Sequence, residues 1–234
     1  IINLNKKYFY ININNLKIKT DSLAFAEFDS AIKKYNSQYI LKKGDVVLDI
    51  GAYHGIYSFF ILSQIGGPGK IYAFEPDPYN YKILSENIKK NKIKNIIPIK
   101  KALFNKTGEQ KFAVSSAGSS IYQNEHRLNG NPFENKVIIT VPTISFADFI
   151  KEYKVKNIDF IKMDCEGSEI EICKNYLENS PKKIKTHFAI ASYHYREDYM
   201  SKTNKILKKM FGSKNIKTID KNKKHLTTYI DTTL

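Results

Sequence analysis

The stretch Asp49-Ile50-Gly51-Ala52-Tyr53-His54-Gly55 sets a carboxylate and two glycines at one bend, between an apolar run and a helical pattern. Glycine at such a bend lets backbone approach a ligand closely, and the helix start beyond it offers unpaired N–H donors. Glu75 lies 24 residues past Gly51, at the end of the next apolar run. A carboxylate in that place accepts hydrogen bonds from both hydroxyls of an adenosine ribose. Together the two signals point to an adenosine-type cofactor. A dinucleotide site asks for G-x-G-x-x-G, so that a pyrophosphate can lie on the backbone. Here Ala52, Tyr53 and His54 fill the bend and give G-x-x-x-G. That spacing crowds a pyrophosphate but tolerates a ribose with an amino-acid tail, as in S-adenosyl-L-methionine. The chain has no G-x-x-x-x-G-K-[ST], so a P-loop nucleotide site is not supported.

The elements that must hold these residues follow from the apolar pattern. Val46 to Ile50 is a short run with one acid, the mark of a buried parallel strand. A helix is expected at about Gly55 to Gln64, a strand at Lys70 to Glu75, a helix at Tyr79 to Asn91 and a third strand at Ile96 to Leu103. Later come a helix at Ser145 to Tyr153, a strand at Ile158 to Asp164, a helix at Ser168 to Leu177, a strand at Thr186 to Ser192 and a helix at Lys202 to Met210. Asn215 to Ile219 and Leu226 to Ile230 form a closing hairpin. This alternation predicts an α/β fold with a mostly parallel, doubly wound sheet and ligands at the carboxyl ends of its strands.

Two regions break the rhythm. Residues 1–40 are expected to be an N-terminal hairpin, turning at Asn14-Asn15, and a helix from Ser22 to Lys34, both packed on the core. Residues 104–142, with a Ser/Gly/Asn-rich loop from Ser115 to Asn135, read as an insertion over the active face of the domain at 41–234.

A chain of 234 residues suits one α/β domain with additions, or at most two small ones. It has no run of about 18 apolar residues, so no membrane span is expected. Residues 1–10 lack a long apolar core and a small-residue cleavage site, so no secretory signal is expected. The chain opens on Ile1 rather than Met, as a processed or trimmed chain would. The net charge of +15 first suggests nucleic acid or an anionic surface. Yet all but two of the 38 cations are lysines, spread along the chain, whereas phosphate and base-edge recognition favours the arginine fork. Nucleic acid is therefore a possible but not a favoured partner, and the lysines between Lys202 and Lys224 are read as a solvated surface. Cys165 and Cys173 cannot build a disulfide framework; they are read as buried free thiols in a reducing, cytoplasmic setting.

Val46 to Ala52, Phe74-Glu75-Pro76-Asp77-Pro78 and Ile158 to Glu169 together resemble the FkbM-type S-adenosylmethionine-dependent methyltransferases. The resemblance runs from about Leu41 to Ile190 and is most specific in Lys-x-Asp-x-Glu-Gly-x-Glu at Lys162 to Glu169. It implies a Rossmann-like, seven-stranded sheet with an antiparallel final strand. It also implies methylation of a hydroxyl on a sugar, glycan or other small metabolite. The cofactor positions it carries over are Asp49, Gly51, Gly55 and Glu75, with Ala102 near the adenine; Ala52, Tyr53, Pro76 and Asp164 complete the candidate cofactor-binding residues. After the fifth strand this chain departs from the family, with Ser192-Tyr193-His194 where many members place an acid two residues before a His.

Methyl transfer from a sulfonium needs alignment of acceptor and methyl carbon, and help in removing the proton of a hydroxyl acceptor. Asp164 ends the fourth strand, Glu166 sits on the turn beyond it, and His194 ends the neighbouring fifth strand. These three are the candidate catalytic residues, with Asp164 or His194 as the base and the other orienting substrate. Lys162 and Asp164 share a strand face by the two-residue period, while Cys165 points away. Plainer roles stand beside these. Asp49 can anchor the bend, Lys162 can pair with Asp164 or Glu166, Glu166 can be a first-turn acid favouring its helix, and His194 can be structural. His54 is expected behind the site or facing solvent. The carboxylates with His194 suit magnesium by donor type, but no spacing demands a metal. Three alternatives remain, an RNA methyltransferase using the lysine-rich surface, a non-catalytic S-adenosylmethionine-binding module and an NAD-dependent dehydrogenase. No [DN]-P-P-[YFW] follows the fourth strand and no Pro-Cys pair occurs, which leaves nucleobase methylation without its motifs.

Overall fold

Strands buried on both faces need apolar side chains at every position, and this accounts for the unbroken Ile, Val and Phe runs. The computed structural model describes residues 8–21, 32–114, 120–121, 137–179, 185–192, 196–220 and 226–233. The central strands are β3 (Val46–Ile50), β4 (Lys70–Phe74), β5 (Ile96–Ile99), β10 (Phe160–Met163), β11 (His187–Ala191), β12 (Ile216–Asp220) and β13 (Leu226–Asp231). They form one seven-stranded sheet in the order β12-β13-β11-β10-β3-β4-β5. β13 runs antiparallel to β11 and β12, and the pairs among β3, β4, β5, β10 and β11 are parallel. The expected Rossmann-like, mostly parallel seven-stranded sheet is therefore present. The chain winds outward from β3 through β4 to β5, then returns to lay β10 on the other side of β3. That reversal is a topological switch point at the carboxyl ends of β3 and β10, whose crevice takes the ligand in sheets of this kind.

Alternate side chains of these strands enter two separate cores. Leu48, Ile50, Tyr72, Phe74, Ile161, Met163, Phe188 and Ile190 face one, with α3 (Phe146–Glu152), α4 (Glu169–Asn179) and α5 (Arg196–Phe211). Val47, Ile71, Ala73, Phe160 and Ala189 face the other, with α1 (Ile56–Ile65) and α2 (Pro78–Lys90). Helix starts follow local chemistry. Asp77 caps α2, accepting from the backbone N–H groups of Tyr79 and Asn80, with Pro78 first in the helix. Ser145 caps α3 through the N–H of Asp148.

The N-terminal hairpin, β1 (Tyr8–Ile13) and β2 (Leu16–Asp21), turns where expected, with φ of 47° at Asn14 and 67° at Asn15. Asn87 and Asn91 of α2 clasp it. Each side-chain oxygen accepts a backbone N–H of β2 (Lys19, 2.8 Å; Lys17, 3.0 Å), and each amide nitrogen donates back to the same residue's carbonyl (both 2.9 Å). Residues 32–35 form a helical turn. The rest of the expected helix from Ser22 lies outside the described residues.

One strand expectation needs correction. Ile96 to Leu103 is not a single strand, because β5 stops at Ile99 and β6 (Ala102–Phe104) joins a second sheet. Lys100 and Lys101 interrupt the apolar run, and Lys101 turns out to meet Glu152 of α3 at 2.9 Å. The second sheet has the order β6-β9-β7-β8, with β7 at Gly108–Val114, β8 at Ser120–Ile121 and β9 at Val137–Ser145. It therefore begins and ends a few residues outside 104–142, and most of the Ser115 to Asn135 loop lies outside the described residues. Among the described residues, no helix is long and apolar enough to cross a membrane.

Candidate active site

The crevice is built around a buried ion pair. Asp49 of β3 and Lys162 of β10 are register partners on the face that α1 covers. Lys162 Nζ lies 3.1 Å from Asp49 Oδ1, and Ser58 Oγ of α1 donates to Asp49 Oδ2 at 2.6 Å. The ammonium also donates to the carbonyls of Gly51 (2.8 Å) and Ile50 (3.4 Å). Burial alone would lower the pKa of Lys162, but the charges of Asp49 and Asp164 outweigh it and hold the group raised and cationic. Lys162 thus pairs with Asp49, where the sequence suggested Asp164 or Glu166. The reason is that cross-strand register brings Asp49 opposite while the strand period only places Asp164 further along. Asp49, with no exposure, anchors the bend from beneath.

The bend requires glycine at both marked positions. Gly51 has φ +79°, and a Cβ there would lie 2.0 Å from the carbonyl oxygen of Asp164. Gly55 has φ +88°, and its Cβ would meet Leu84 of α2 at 2.6 Å. Gly51 and Ala52 donate their N–H groups to the carbonyl of Phe74, fixing the bend to the end of β4. Tyr53 takes φ +53° and points its N–H at Glu75 Oε2, 2.7 Å away, while its hydroxyl donates to Asp21 of the hairpin at 2.7 Å. His54 is buried rather than solvent-facing. Its ring stacks on Tyr53 at 3.9 Å, with Thr20 Oγ1 3.3 Å from Nδ1.

Glu75 is 5% exposed. One of its oxygens accepts the Tyr53 N–H and the other the Asp77 N–H at 2.9 Å. Burial pushes its pKa up to about 8, against the pull of those two N–H groups and of Lys162. A carboxylate oxygen has two acceptor positions, so each Glu75 oxygen keeps capacity for one hydroxyl. This donor and acceptor set fits the ribose diol of S-adenosyl-L-methionine. Pro76 is half-buried between Glu75 and the cap of α2. Ala102 is buried on β6 in the small core with Phe104, Phe112, Ile121 and Val141.

On the other side of the bend, Asp164 follows β10 and is partly exposed. Tyr35, from the helical turn ahead of β3, donates its hydroxyl to Asp164 Oδ2 at 2.6 Å. The sequence reading missed this residue, since nothing in its spacing ties it to β10. Glu166 (φ +56°) and Gly167 (φ +104°) form the turn beyond, and Glu169 of α4 closes it by accepting the Cys165 N–H at 3.2 Å. Cys165 packs on the opposite core, as its position along the strand predicted. Burial, with the nearby charges of Glu169 and Asp164, pushes its thiol well above the usual range. The structure therefore brings Asp164 and Glu166 to one turn, while His194 lies outside the described residues. Among the described residues no group of three or more His, Cys, Asp or Glu could hold a metal ion.

The family model of the methyltransferase FkbM domain matches residues 49–226, from the buried aspartate of β3 to the start of β13. The chain belongs to the FkbM methyltransferase family. S-adenosyl-L-methionine is the cofactor of that family, the ligand to which the bend and Glu75 pointed. Over 153 residues the chain is 24% identical to the hexuronic acid methyltransferase AglP of Haloferax volcanii, a match covering 65% of this chain and 57% of that protein. It is also 24% identical over 196 residues to the methyltransferase sdnD of Sordaria araneosa, covering 67% of this chain and 74% of that one. The chain thus spans little more than half of the first relative. The crystal structure of the FkbM methyltransferase from Methylobacillus flagellatus superposes with a TM-score of 0.53 at 19% identity. That match covers 83% of this chain and 45% of the other, and it shows a common fold.

Proposed function

We propose that this FkbM domain catalyses S-adenosyl-L-methionine-dependent O-methylation of a hydroxyl on a sugar, glycan or other small metabolite. The observation that carries the reading is the placement of two carboxylates on either side of the Gly51 bend. β10, β3 and β4 are adjacent, so the backbones at Asp164 and Glu75 lie about two strand spacings, ~10 Å, apart. Glu75 would take the ribose hydroxyls, and the Gly51 to Tyr53 backbone would lie along the amino-acid tail. When bound, the cofactor supplies an electrophilic methyl carbon on a sulfonium. What remains for the chain is to align the acceptor hydroxyl and accept its proton, a role we assign to Asp164, across the bend from Glu75. Lys162 neutralises Asp49 and fixes the Gly51 carbonyl, so the bend keeps its shape when the ligand leaves. A sugar-type acceptor agrees with the hexuronic acid named for the relative AglP.

The test is formation of S-adenosylhomocysteine with a panel of sugars, including hexuronic acids. General base catalysis contributes about 10²–10⁴-fold. Asp164→Asn should therefore cut turnover by roughly a hundredfold or more while cofactor affinity holds. His194→Ala tests the second candidate base in the same assay. Full turnover by both variants would remove Asp164 and His194 from the chemistry.

A further inference from the structure

We propose that Tyr35 is a positioning residue for methyl transfer, its phenol holding the Asp164 carboxylate ionised and in one orientation. The inference rests on the methyltransferase reading above and extends it to a segment ahead of residues 49–226, the region that the family model matches. A buried tyrosine needs a partner for its hydroxyl, and packing alone would be served by phenylalanine. Tyr35 is 1% exposed, and its partner is the strand-end carboxylate, at 2.6 Å. That separation is in the range of a charge-assisted O–H···O⁻ bond.

Several elements hold the phenol in place. Tyr229 of β13 donates its hydroxyl to the carbonyl of Lys34, and Ser37 Oγ donates to the Tyr229 hydroxyl at 2.9 Å. Tyr57 of α1 donates to Asn36 Oδ1 and packs its ring edge-on against Tyr35, with centroids 5.5 Å apart. Lys34 Nζ donates to the Tyr35 oxygen at 3.2 Å, which polarises the phenol toward Asp164. Among the described residues, the groups around Asp164 include Lys162 on its own strand, Asp49 paired to that lysine from β3, Cys165 and Glu166 on the turn, and Tyr35 with Lys34 from the helical turn. The Cys165 thiol is neutral. Of the remaining groups, the Tyr35 hydroxyl, Lys162 and Lys34 favour the anion, the Glu166 carboxylate opposes it, and Asp49 is offset by its ion pair. A fixed, ionised carboxylate presents one lone pair to an acceptor hydroxyl, whereas a freely rotating one must be ordered in each cycle.

The experiment is a carbon-13 NMR titration of the Asp164 carboxyl in the full chain, compared with Tyr35→Phe and Lys34→Met. Hydrogen bonds to charged groups contribute about 1.5–3 kcal/mol. Tyr35→Phe should therefore raise the Asp164 midpoint by about one to two pH units. Lys34→Met, at a partly exposed side chain, should move it the same way by less and provides a second reading if the phenylalanine variant folds poorly. In turnover, Tyr35→Phe should lower kcat by roughly tenfold or more, with the acidic limb of the rate profile shifted upward and cofactor affinity unchanged. A tyrosine that only fills space would lower the melting temperature and leave the titration alone. An Asp164 midpoint unmoved in both variants overturns the proposal. The titration needs no acceptor, so it decides the role of Tyr35 even if no hydroxylated compound is methylated, a result that would sink the methyl-transfer reading instead.

Discussion

Replacing Glu75 with glutamine tests the cofactor site most directly. In the folded chain each oxygen of Glu75 accepts one backbone N–H, from Tyr53 at 2.7 Å and from Asp77 at 2.9 Å. Glutamine keeps the shape but turns one oxygen into a donor. One of the two buried N–H groups then faces another donor, and the ribose loses one acceptor. A hydrogen bond to a charged group is worth about 1.5–3 kcal/mol, and an unsatisfied buried donor costs about 1–3 kcal/mol. Part of the second cost falls on the free protein, so the expected loss in binding above about pH 8, where Glu75 is already ionised, is about 3 kcal/mol, roughly a hundredfold in Kd. Titration calorimetry with S-adenosylmethionine and with S-adenosylhomocysteine measures it, with thermal melting as the control for folding. The same residue predicts a pH dependence. Its folded pKa, about 8, lies above the unfolded value of 4.5. Its contribution to stability is therefore complete below pH 4.5 and is lost as pH rises through about 8. Ribose hydroxyls favour the ionised form, so binding near neutral pH should release protons and tighten as pH rises toward about 8. Buffers of different ionisation enthalpy reveal that release. A Glu75→Gln variant that binds within threefold of the parent, or a Kd flat across this pH window, would refute the reasoning.

Three further substitutions probe the frame. Gly51→Ala drives a Cβ to 2.0 Å from the Asp164 carbonyl at φ +79°, so a loss above about 3 kcal/mol is expected by thermal or urea unfolding. Lys162→Met strands the buried Asp49 carboxylate and should cost about 3–5 kcal/mol, much of it recovered when Asp49→Asn is added; equal loss in single and double variants would refute the pairing. Asn87→Ala removes two bonds to Lys19 and one to the His54 carbonyl, for about 2–3 kcal/mol, with faster amide exchange in β2 if the hairpin is clasped as described.

Much of this protein was written locally. Glycines 51 and 55, the Asp77 and Ser145 caps, the Asn14-Asn15 turn and the unbroken apolar runs each express a backbone or burial requirement met within a few residues of chain. Those requirements were enough to name the mostly parallel sheet, and with Glu75 they indicated the class of cofactor. Other features depend on which distant residues come to share a face. The choice of Asp49 as the Lys162 partner follows from the β3–β10 register. The break at Lys100-Lys101 follows from where a second sheet begins, and the burial of His54 follows from a hairpin that α2 happens to clasp. Tyr35 meets Asp164 only because α1 and β13 hold its turn against the end of β10. A short-range pattern specifies the conformation of its own segment. It carries no information on register or docking across the fold, and those contacts between distant segments decide which side chains meet in the crevice.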